Sequence, residues 1–299
     1  MHSRTHHRLH RPPWHATSLY ARAWREFDEA LYETHGRGWE LVRVEWLSRA
    51  IDDMKQRVER SSEAERVPRL IALLLLQAPR AARAQHIMDS RHGHGYHNRS
   101  KRLYELIDFN DTLVDIVLAL SHEQRQVFAQ EIYTHMSTVC RRSRTHMFTR
   151  EQFDAITHGL SRETAVYLAA RETGLDVHMT SRVADGLGVD MQVRDGASDR
   201  YINIDCKTTG AYLRRVEELR REGRLREDEV AQALTRGYIE VLNGHRKDQV
   251  RVVLFAVVTE AMGEIRGFEF TRTDLVAGKL HEAIRAYGRH DGQFYRYEA

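Results

Sequence analysis

The hydrophobic periodicity of the chain changes near residue 149, and this change limits the folds open to it more than any other feature. Downstream, short stretches alternate apolar and polar residues, which is typical of strands with one buried face. The sequence therefore predicts an α/β protein with a mostly helical N-terminal region, residues 1–148, and a second domain, residues 149–299. Upstream, apolar residues recur at helical spacing over 16–32, 39–58, 64–87, 102–120 and 122–140.

The second domain has a recognisable order of predicted elements. Thr149 and Gln152 have the spacing of a capping box that opens a short helix, which Gly159 is expected to end. From 161 to 259 the order is helix, strand, strand, strand, helix, strand. The predicted segments are a helix over 162–172, strands over 176–181, 187–193 and 201–207, a helix over 214–242, strands over 250–259 and 265–271, and a helix over 273–287.

Composition excludes several classes of protein. The two cysteines, Cys140 and Cys206, are far apart, which argues against a disulfide scaffold or a zinc ribbon and favours a reducing cytoplasm. The longest apolar run, residues 70–76, is too short to span a bilayer, so no membrane partner is expected. The chain has neither a Gly-x-Ser-x-Gly motif nor a phosphate-binding glycine loop, which disfavours serine hydrolases and nucleotide-driven or redox enzymes.

Charge is unevenly distributed along the chain. Residues 1–150 carry 24 basic and 18 acidic side chains, a net +6, whereas the remainder carries 22 and 25, a net −3. This division fits an N-terminal half that contacts a polyanion and a C-terminal half with a carboxylate site, although an ordinary solvated surface has the same pattern. Candidate nucleic-acid contacts are Arg91, Arg99, Lys101, Arg102, Arg141, Arg142 and Arg144.

Histidine is abundant, with 18 residues in the chain. Histidine-rich tracts can bind transition metals, but the spacing here defines no particular metal site, and an incidental role is the favoured interpretation. Backbone contact with nucleic acid is at least as good an explanation for the second cluster, which lies among basic residues. The clusters are His6, His7, His10 and His15, and then His92, His94 and His97.

The triplet Asp205-Cys206-Lys207 is the most informative chemical feature. Only five of the 46 basic residues are lysines, so a lysine at the end of an apolar strand is unusual. Strand alternation places Asp205 and Lys207 on one face, about 7 Å apart, and Cys206 on the other. Alone, the triplet fits a strand-end ion pair on a solvated face. A second triplet of this kind, Asp53-Met54-Lys55, lies in a helical pattern and is interpreted as surface charge.

Two further carboxylates align with this strand. In residues 188–193 the apolar side chains of Val189, Met191 and Val193 alternate with Asp190 and Gln192, so pairing of the two strands would bring Asp190 to the side of Asp205. Glu163 lies on the apolar stripe of its predicted helix, where a carboxylate is costly unless it is paired or binds a metal. An acidic residue in a first helical turn also has a purely structural explanation.

Glu163, Gly188-Val189-Asp190 and Asp205-Cys206-Lys207, in this order of elements, resemble the PD-(D/E)xK nuclease superfamily. The resemblance covers roughly residues 150–260. The chain has Gly-Val-Asp where Pro-Asp is usual and Asp205 where glutamate is more frequent, and both departures keep the carboxylate. The resemblance implies a restriction-endonuclease-like core, a central mixed sheet flanked by helices. It leaves recognition, oligomerisation or partner binding to residues 1–148.

The resemblance also implies a chemistry. Mg²⁺, with Mn²⁺ as a substitute, would be held by Asp190, Asp205, Glu163 and the backbone carbonyl of Cys206, and Lys207 would orient water or stabilise developing charge. The implied activity is hydrolysis of phosphodiester bonds by an endonuclease of restriction, defence or mobile-element type, with double-stranded DNA as the expected substrate. Secondary candidates are Gln192, for positioning the nucleophile, and Gln232, for which a plain surface position is favoured.

Two alternatives stay open at the level of sequence. One is a catalytically inactive module with a nuclease-like fold that binds nucleic acid or a protein, and the other is a nuclease directed at RNA. Sequence specificity, endonucleolytic or exonucleolytic cutting and the number of metal ions are undetermined. A homodimer is the expectation for an enzyme that cuts both strands.

Overall fold

The computed structural model describes residues 18–35, 44, 47–89, 96–180, 187–243 and 249–290, with the side chains of 35 and 96–102 left out. The chain divides into two compact units, residues 1–157 and 158–299. The predicted domain boundary, between 148 and 149, precedes helix α6 (Arg150–Glu172), whereas the division between the units falls inside that helix.

The N-terminal unit is helical, as the sequence predicts. Helix α3 packs against the other four full helices of the unit. Its segment 70–76 is buried on every side, which explains its continuous apolar sequence. Ser121 and Gln124 form the capping box that opens α5. The helices are α1 (Ser18–His35), α2 (Leu47–Glu59), α3 (Glu63–Asp89), α4 (Tyr96–Ala119) and α5 (His122–Arg142).

The C-terminal unit contains a five-stranded mixed sheet, which confirms the α/β class. The strand order is β1-β2-β3-β5-β4, with β3 and β5 parallel and the other pairs antiparallel. The strands are β1 (Asp176–Met179), β2 (Met191–Asp195), β3 (Arg200–Thr208), β4 (Tyr238–Asn243) and β5 (Val250–Val257). The other elements are α7 (Thr209–Arg221), α8 (Glu227–Arg236), α9 (Thr259–Met262), β6 (Ile265–Arg266), β7 (Glu269–Phe270) and α10 (Thr273–Tyr287).

Each face of this sheet has its own core. One face packs against α6 and α10 through residues such as Val166, Ile204 and Leu280. The other face packs against α7 and α8, where Val216 and Leu254 are buried. Strand β5 contributes to both cores, as its continuous apolar sequence predicts.

Two helix predictions are wrong. Helix α6 runs without a break through Gly159, where the sequence was expected to end one helix before another began. The helix predicted over 214–242 ends at Arg221, α8 follows it, and Gly237 then adopts a left-handed conformation (φ 74°) that stops α8. Tyr238 and Val241, which fall within the predicted helix, lie in β4 and pack into opposite cores, because the strand alternates between faces.

The strand predicted over 265–271 is also wrong in form. It is a short hairpin of β6 and β7, turned by Gly267 and Phe268, both at positive φ (54° and 69°). By contrast, α10 has the bounds that the sequence predicts, and Thr149 and Gln152 make both hydrogen bonds of their capping box. Within the described part of the chain, no helix is both long and apolar enough to cross a membrane.

Candidate functional site

A pair of side-chain amides spans β2 and β3. Gln192 lies opposite Asn203, and its Nε2 donates to Asn203 Oδ1 at 2.9 Å. The Nδ2 of Asn203 donates to the carbonyl of Arg251 at 3.0 Å, so this buried side chain also ties β3 to β5. Gln192 is thus engaged with the sheet, and its predicted role beside a nucleophile stays a prediction.

The ladder between β2 and β3 breaks at Asp190. Met191 pairs with Ile204, yet the amide of Asp190 donates to the carbonyl of that same residue at 2.8 Å. Two successive residues therefore oppose one, as in a β-bulge. Asp190 Oδ2 accepts a hydrogen bond from the backbone amide of Cys206 at 2.6 Å. A side-chain carboxylate thus takes the place of a main-chain acceptor at the end of the ladder.

This break changes which face of the sheet the residues before Met191 occupy. Val189 packs with Val250 and Val252, whereas Met191 and Val193 pack into the core below α6 and α10. The prediction that Val189, Met191 and Val193 share one face is therefore wrong, because a bulge adds a residue and shifts the alternation by one position. The alternation of faces along β2 therefore stops at Met191, and it does not place Asp190 on the side of Asp205.

Asp205 and Lys207 form an ion pair. Asp205 Oδ1 contacts the Lys207 ammonium, and the carboxylate is buried while the lysine side chain is 33% exposed. Burial by itself lowers the pKa of Lys207, but the hydrogen bond and charge of Asp205, together with the charge of Asp190, raise that pKa above its ordinary value. Lys207 is therefore a cation at neutral pH, suited to stabilising negative charge and unsuited to accepting a proton.

Gly188 closes over the Asp205 carboxylate. Its φ is 78°, and a Cβ placed on it would lie 3.6 Å from Asp205 Oδ2 and 2.7 Å from Asn243 Nδ2. The neighbouring Leu187 and Val189 pack on the valines of β5. Asn243 is thus a polar side chain near Asp205 that the sequence prediction missed, because its strand was assigned to a helix.

The Cys206 thiol is influenced by the charges of the predicted site residues. Burial raises the pKa of its thiol, and the charges of Asp190, Glu163 and Asp205 raise it further, whereas Lys207 lowers it. The thiol therefore stays protonated, which makes it a poor nucleophile and a poor soft-metal ligand. Glu163 is half-buried on α6, one turn before Val166, which packs in the same core as Cys206.

The groups near Cys206 that could bind a metal ion are the hard oxygen ligands of Asp190 and Asp205. Among the described residues there is no group of three or more His, Cys, Asp or Glu side chains arranged to hold a metal. Mg²⁺ commonly takes one or two carboxylates and completes its shell with water, so the donor chemistry of Asp190 and Asp205 fits that ion. An ionised carboxylate has about four lone-pair sites on its two oxygens, so it can accept from several partners at once. At Cys206 the group in contact with Asp190 is the amide, whereas the predicted ligand is the carbonyl.

The remaining predicted residues lie elsewhere. Gln232 is exposed on α8, in the C-terminal unit. Arg141, Arg142 and Arg144 are exposed at the end of α5, in the N-terminal unit. Arg91 and the histidines other than His97 in the two clusters lie outside the described residues, as do the side chains of His97, Arg99, Lys101 and Arg102.

Comparisons with known proteins add no relative. No protein-family model matches the chain, and neither the curated proteins nor the solved structures contain a match. The structure shows a helical N-terminal unit and a mixed-sheet α/β unit. In the α/β unit, Asp205 pairs with Lys207 on β3, and Asp190 accepts a hydrogen bond from the backbone amide of the residue between them.

Proposed function

We propose that the C-terminal unit is a divalent-metal-dependent nuclease with a restriction-endonuclease-like core, acting on DNA. One observation carries the proposal. On β3, the buried carboxylate of Asp205 pairs with the cationic Lys207 two residues later. Asp190, just before β2, accepts a hydrogen bond from the backbone amide of Cys206, the residue between them. A carboxylate is costly to bury unless a cation balances it. Carboxylates that hold a divalent ion beside a cationic lysine could polarise a phosphodiester and stabilise the charge that develops on it.

The order of elements supports the same assignment. Helix α6 is followed by β1, β2 and β3, then by α7 and, after α8 and β4, by β5. Strand β5 lies parallel to β3, and the remaining strands are antiparallel to their neighbours. This is the helix, three strands, helix, strand order that the sequence resemblance implies, with α8 and β4 inserted before the last strand.

Each residue has a role in this chemistry. Asp190 and Asp205 would hold Mg²⁺ or Mn²⁺, with Glu163 completing the shell directly or through water. A bound divalent ion polarises the phosphate and lowers the pKa of a coordinated water. Lys207 stays protonated because its pKa is raised, and its exposed third allows the ammonium to reach a phosphate oxygen and stabilise charge there.

The test is DNA cleavage by the full chain. Supercoiled plasmid is incubated with Mg²⁺, Mn²⁺ or EDTA and with wild type, Asp205→Asn, Lys207→Met or Glu163→Gln. Asp205→Asn and Lys207→Met are expected to lose about 100-fold or more in rate. Asp199→Asn is the matched control, since Asp199 is an exposed carboxylate at the far end of the β2–β3 hairpin, paired with Arg194. Equal metal-dependent cleavage by all variants would refute the proposed site.

A second candidate is an inactive nuclease-like module that binds nucleic acid. It is favoured by the internal partners of both carboxylates, Lys207 for Asp205 and the Cys206 amide for Asp190. Calorimetry with Mn²⁺ separates the two candidates. No heat of binding, together with unchanged DNA affinity in Asp205→Asn, would favour the inactive module. RNA offered in competition with DNA tests an RNA-directed activity.

A further inference from the structure

The segment that follows α5 in the N-terminal unit is firmly held. The amide of Thr145 donates to the carbonyl of Cys140 at 3.0 Å, which closes the end of the helix. Phe148 is buried with its ring 5.4 Å from that of Phe109, and its carbonyl accepts from the Tyr133 hydroxyl at 3.1 Å. Anchored on both sides, residues 143–147 present their side chains from a fixed backbone.

Two arginines at the end of α5 and in the segment after it have no carboxylate partner among the described residues. The Arg141 guanidinium donates to the carbonyl of Ser137, one turn back on its own helix, at 3.4 Å. Arg144 adopts a left-handed conformation (φ 53°), which is uncommon for a residue with a side chain. Within the described residues neither guanidinium makes an ion pair, whereas Arg57 and Arg80 of the same unit do. Both are exposed, so their charge is open to an anion.

The segment after α5 also carries one ring of a stack of two imidazoles. His146 lies two residues after Arg144, and its ring stacks on that of His86 with centroids 3.9 Å apart and planes 12° apart. Both histidines are exposed, and Met147 beside them is 42% exposed. Histidine rings are among the surfaces on which unpaired bases stack.

Two carboxylates of neighbouring segments, Asp89 and Asp154, have partners of their own. Asp89, one turn from His86, accepts from Gln85 Nε2 at 2.8 Å and from Gln152 Nε2 at 2.6 Å. Asp154 pairs with Arg150, whose guanidinium lies over the Tyr133 ring. Residues 137–154 carry four arginines and two acidic residues, so the local charge is positive.

We propose that Arg141, Arg144 and the His86–His146 stack form a binding surface for single-stranded nucleic acid. The guanidinium groups contact backbone phosphates, and an imidazole face receives an unpaired base. A duplex keeps its bases stacked on one another, so only a strand with free base faces can use both halves of this surface. The proposal holds whether or not the C-terminal unit cleaves DNA, and it assigns the helical unit a substrate class: strands with unpaired nucleotides, of DNA or RNA.

The test is fluorescence anisotropy with the full chain in EDTA at pH 7.5. The probes are a labelled single-stranded DNA of about 15 nucleotides, an RNA of the same sequence and the matching DNA duplex, within the site sizes typical of single-strand binders. Wild type is expected to bind the single strands at least tenfold more tightly than the duplex. The ratio between the DNA and RNA arms identifies the natural strand type. Duplex affinity equal to single-strand affinity would overturn the proposal.

Variants separate the two halves of the surface. Arg141→Ala/Arg144→Ala is expected to lose about tenfold in affinity, and its slope of log affinity against log salt falls by about 1.4, or 0.7 for each lost phosphate contact. Its control is Arg49→Ala/Arg60→Ala, which removes two exposed arginines of α2 and the turn after it.

His146→Ala is expected to lose affinity with an unchanged salt slope, and His146→Phe, which keeps a flat ring, is expected to restore the affinity. Equal losses in the control, or no loss in either test variant, would overturn the proposal. Binding is measured in EDTA and requires no cleavage, so a failed cleavage assay does not affect this result.

Discussion

Asp190 Oδ2 lies 2.6 Å from the backbone nitrogen of Cys206 and accepts its hydrogen bond. The bond replaces a main-chain partner where the β2–β3 ladder ends, and it falls between the two residues, Asp205 and Lys207, that define the proposed site. It ties the position of one carboxylate to the strand that carries the other. The same contact therefore serves the fold and the geometry of the site.

Removing this acceptor is expected to destabilise the C-terminal unit. Asp190→Ala leaves the buried amide of Cys206 without a partner, which costs about 1–3 kcal/mol. Asp190→Asn keeps an acceptor oxygen and should cost less. Urea denaturation measures both, and hydrogen exchange at the Cys206 amide should be faster in the alanine variant. Equal stability of the two variants would show that the bond contributes little.

The Asp205–Lys207 pair predicts an asymmetry between its two partners. Lys207→Ala leaves a buried carboxylate without its counter-charge, whereas Asp205→Ala leaves a lysine that is one-third exposed and can turn to solvent. The lysine variant should therefore be the less stable, by about 1–2 kcal/mol after allowance for the exposure of the ammonium. Chemical denaturation at pH 7 checks the order, and the reverse order would contradict the burial of Asp205.

Sequence patterns predicted most of the fold because they report burial. The alternation along Ile202, Ile204 and Cys206 identified β3, and the continuous apolar run identified β5 as buried on both faces. Strand β4 was missed because Tyr238 and Val241 also fit a helical stripe with Val230 and Leu234. Only tertiary pairing with β5 decides between the two interpretations.

The sequence predicted which residues lie in one part of the fold, but it did not predict their geometry. Glu163, Asp190, Asp205 and Lys207 lie near enough to Cys206 for their charges to shift the pKa of its thiol. The bulge at Asp190 could not be foreseen, since a bulge arises from pairing with another strand and leaves no mark on the alternation of residue types. The sequence also did not predict the close approach of Asn243 to Gly188, because Asn243 lies in β4 and that strand is defined by its pairing with β5.

Helix α6 predicts a stabilising substitution at Gly159. The residue lies inside a continuous helix, and a Cβ there would meet no atom within 4 Å. Alanine should therefore raise the free energy of unfolding by about 0.5–1 kcal/mol, because it loses less backbone freedom on folding. Thermal denaturation measures the change. A neutral or destabilising result would support the two shorter helices that the sequence suggested.

Gly188 predicts the opposite effect. Alanine at φ 78° is strained, and its Cβ would lie 2.7 Å from Asn243 Nδ2. We expect Gly188→Ala to cost at least about 1 kcal/mol. Asn243→Ala in the same chain should relieve the clash and leave the backbone strain. Gly196→Ala is the control, since Gly196 has neither positive φ nor a neighbour within 4 Å of a Cβ. Equal effects at the two glycines would contradict the close approach over Asp205.

A buried histidine in the N-terminal unit predicts acid sensitivity. His135 is 6% exposed and stacks on Tyr20 with ring centroids 4.0 Å apart. Trp24 Nε1 lies 3.1 Å from His135 Nδ1. Because an indole can only donate, Nδ1 must be the acceptor and carries no proton. Burial lowers the pKa of His135 below its usual 6.5, although the nearby Glu131 opposes this shift.

The direction of the pH effect follows from that shift. Above pH 6.5 His135 is mostly neutral in the folded and in the unfolded protein. As the pH falls, the unfolded chain takes up the proton first, because the pKa of His135 is lower in the folded protein. Stability is therefore lost as the pH falls from the pKa of the unfolded protein to that of the folded protein. The loss is about 1.4 kcal/mol for each unit that separates the two pKa values. Urea denaturation between pH 7.5 and pH 5 should show a steeper fall for wild type than for His135→Gln, which cannot titrate. Parallel pH profiles would mean that His135 accepts its proton equally well in the folded protein, contrary to its contact with Trp24.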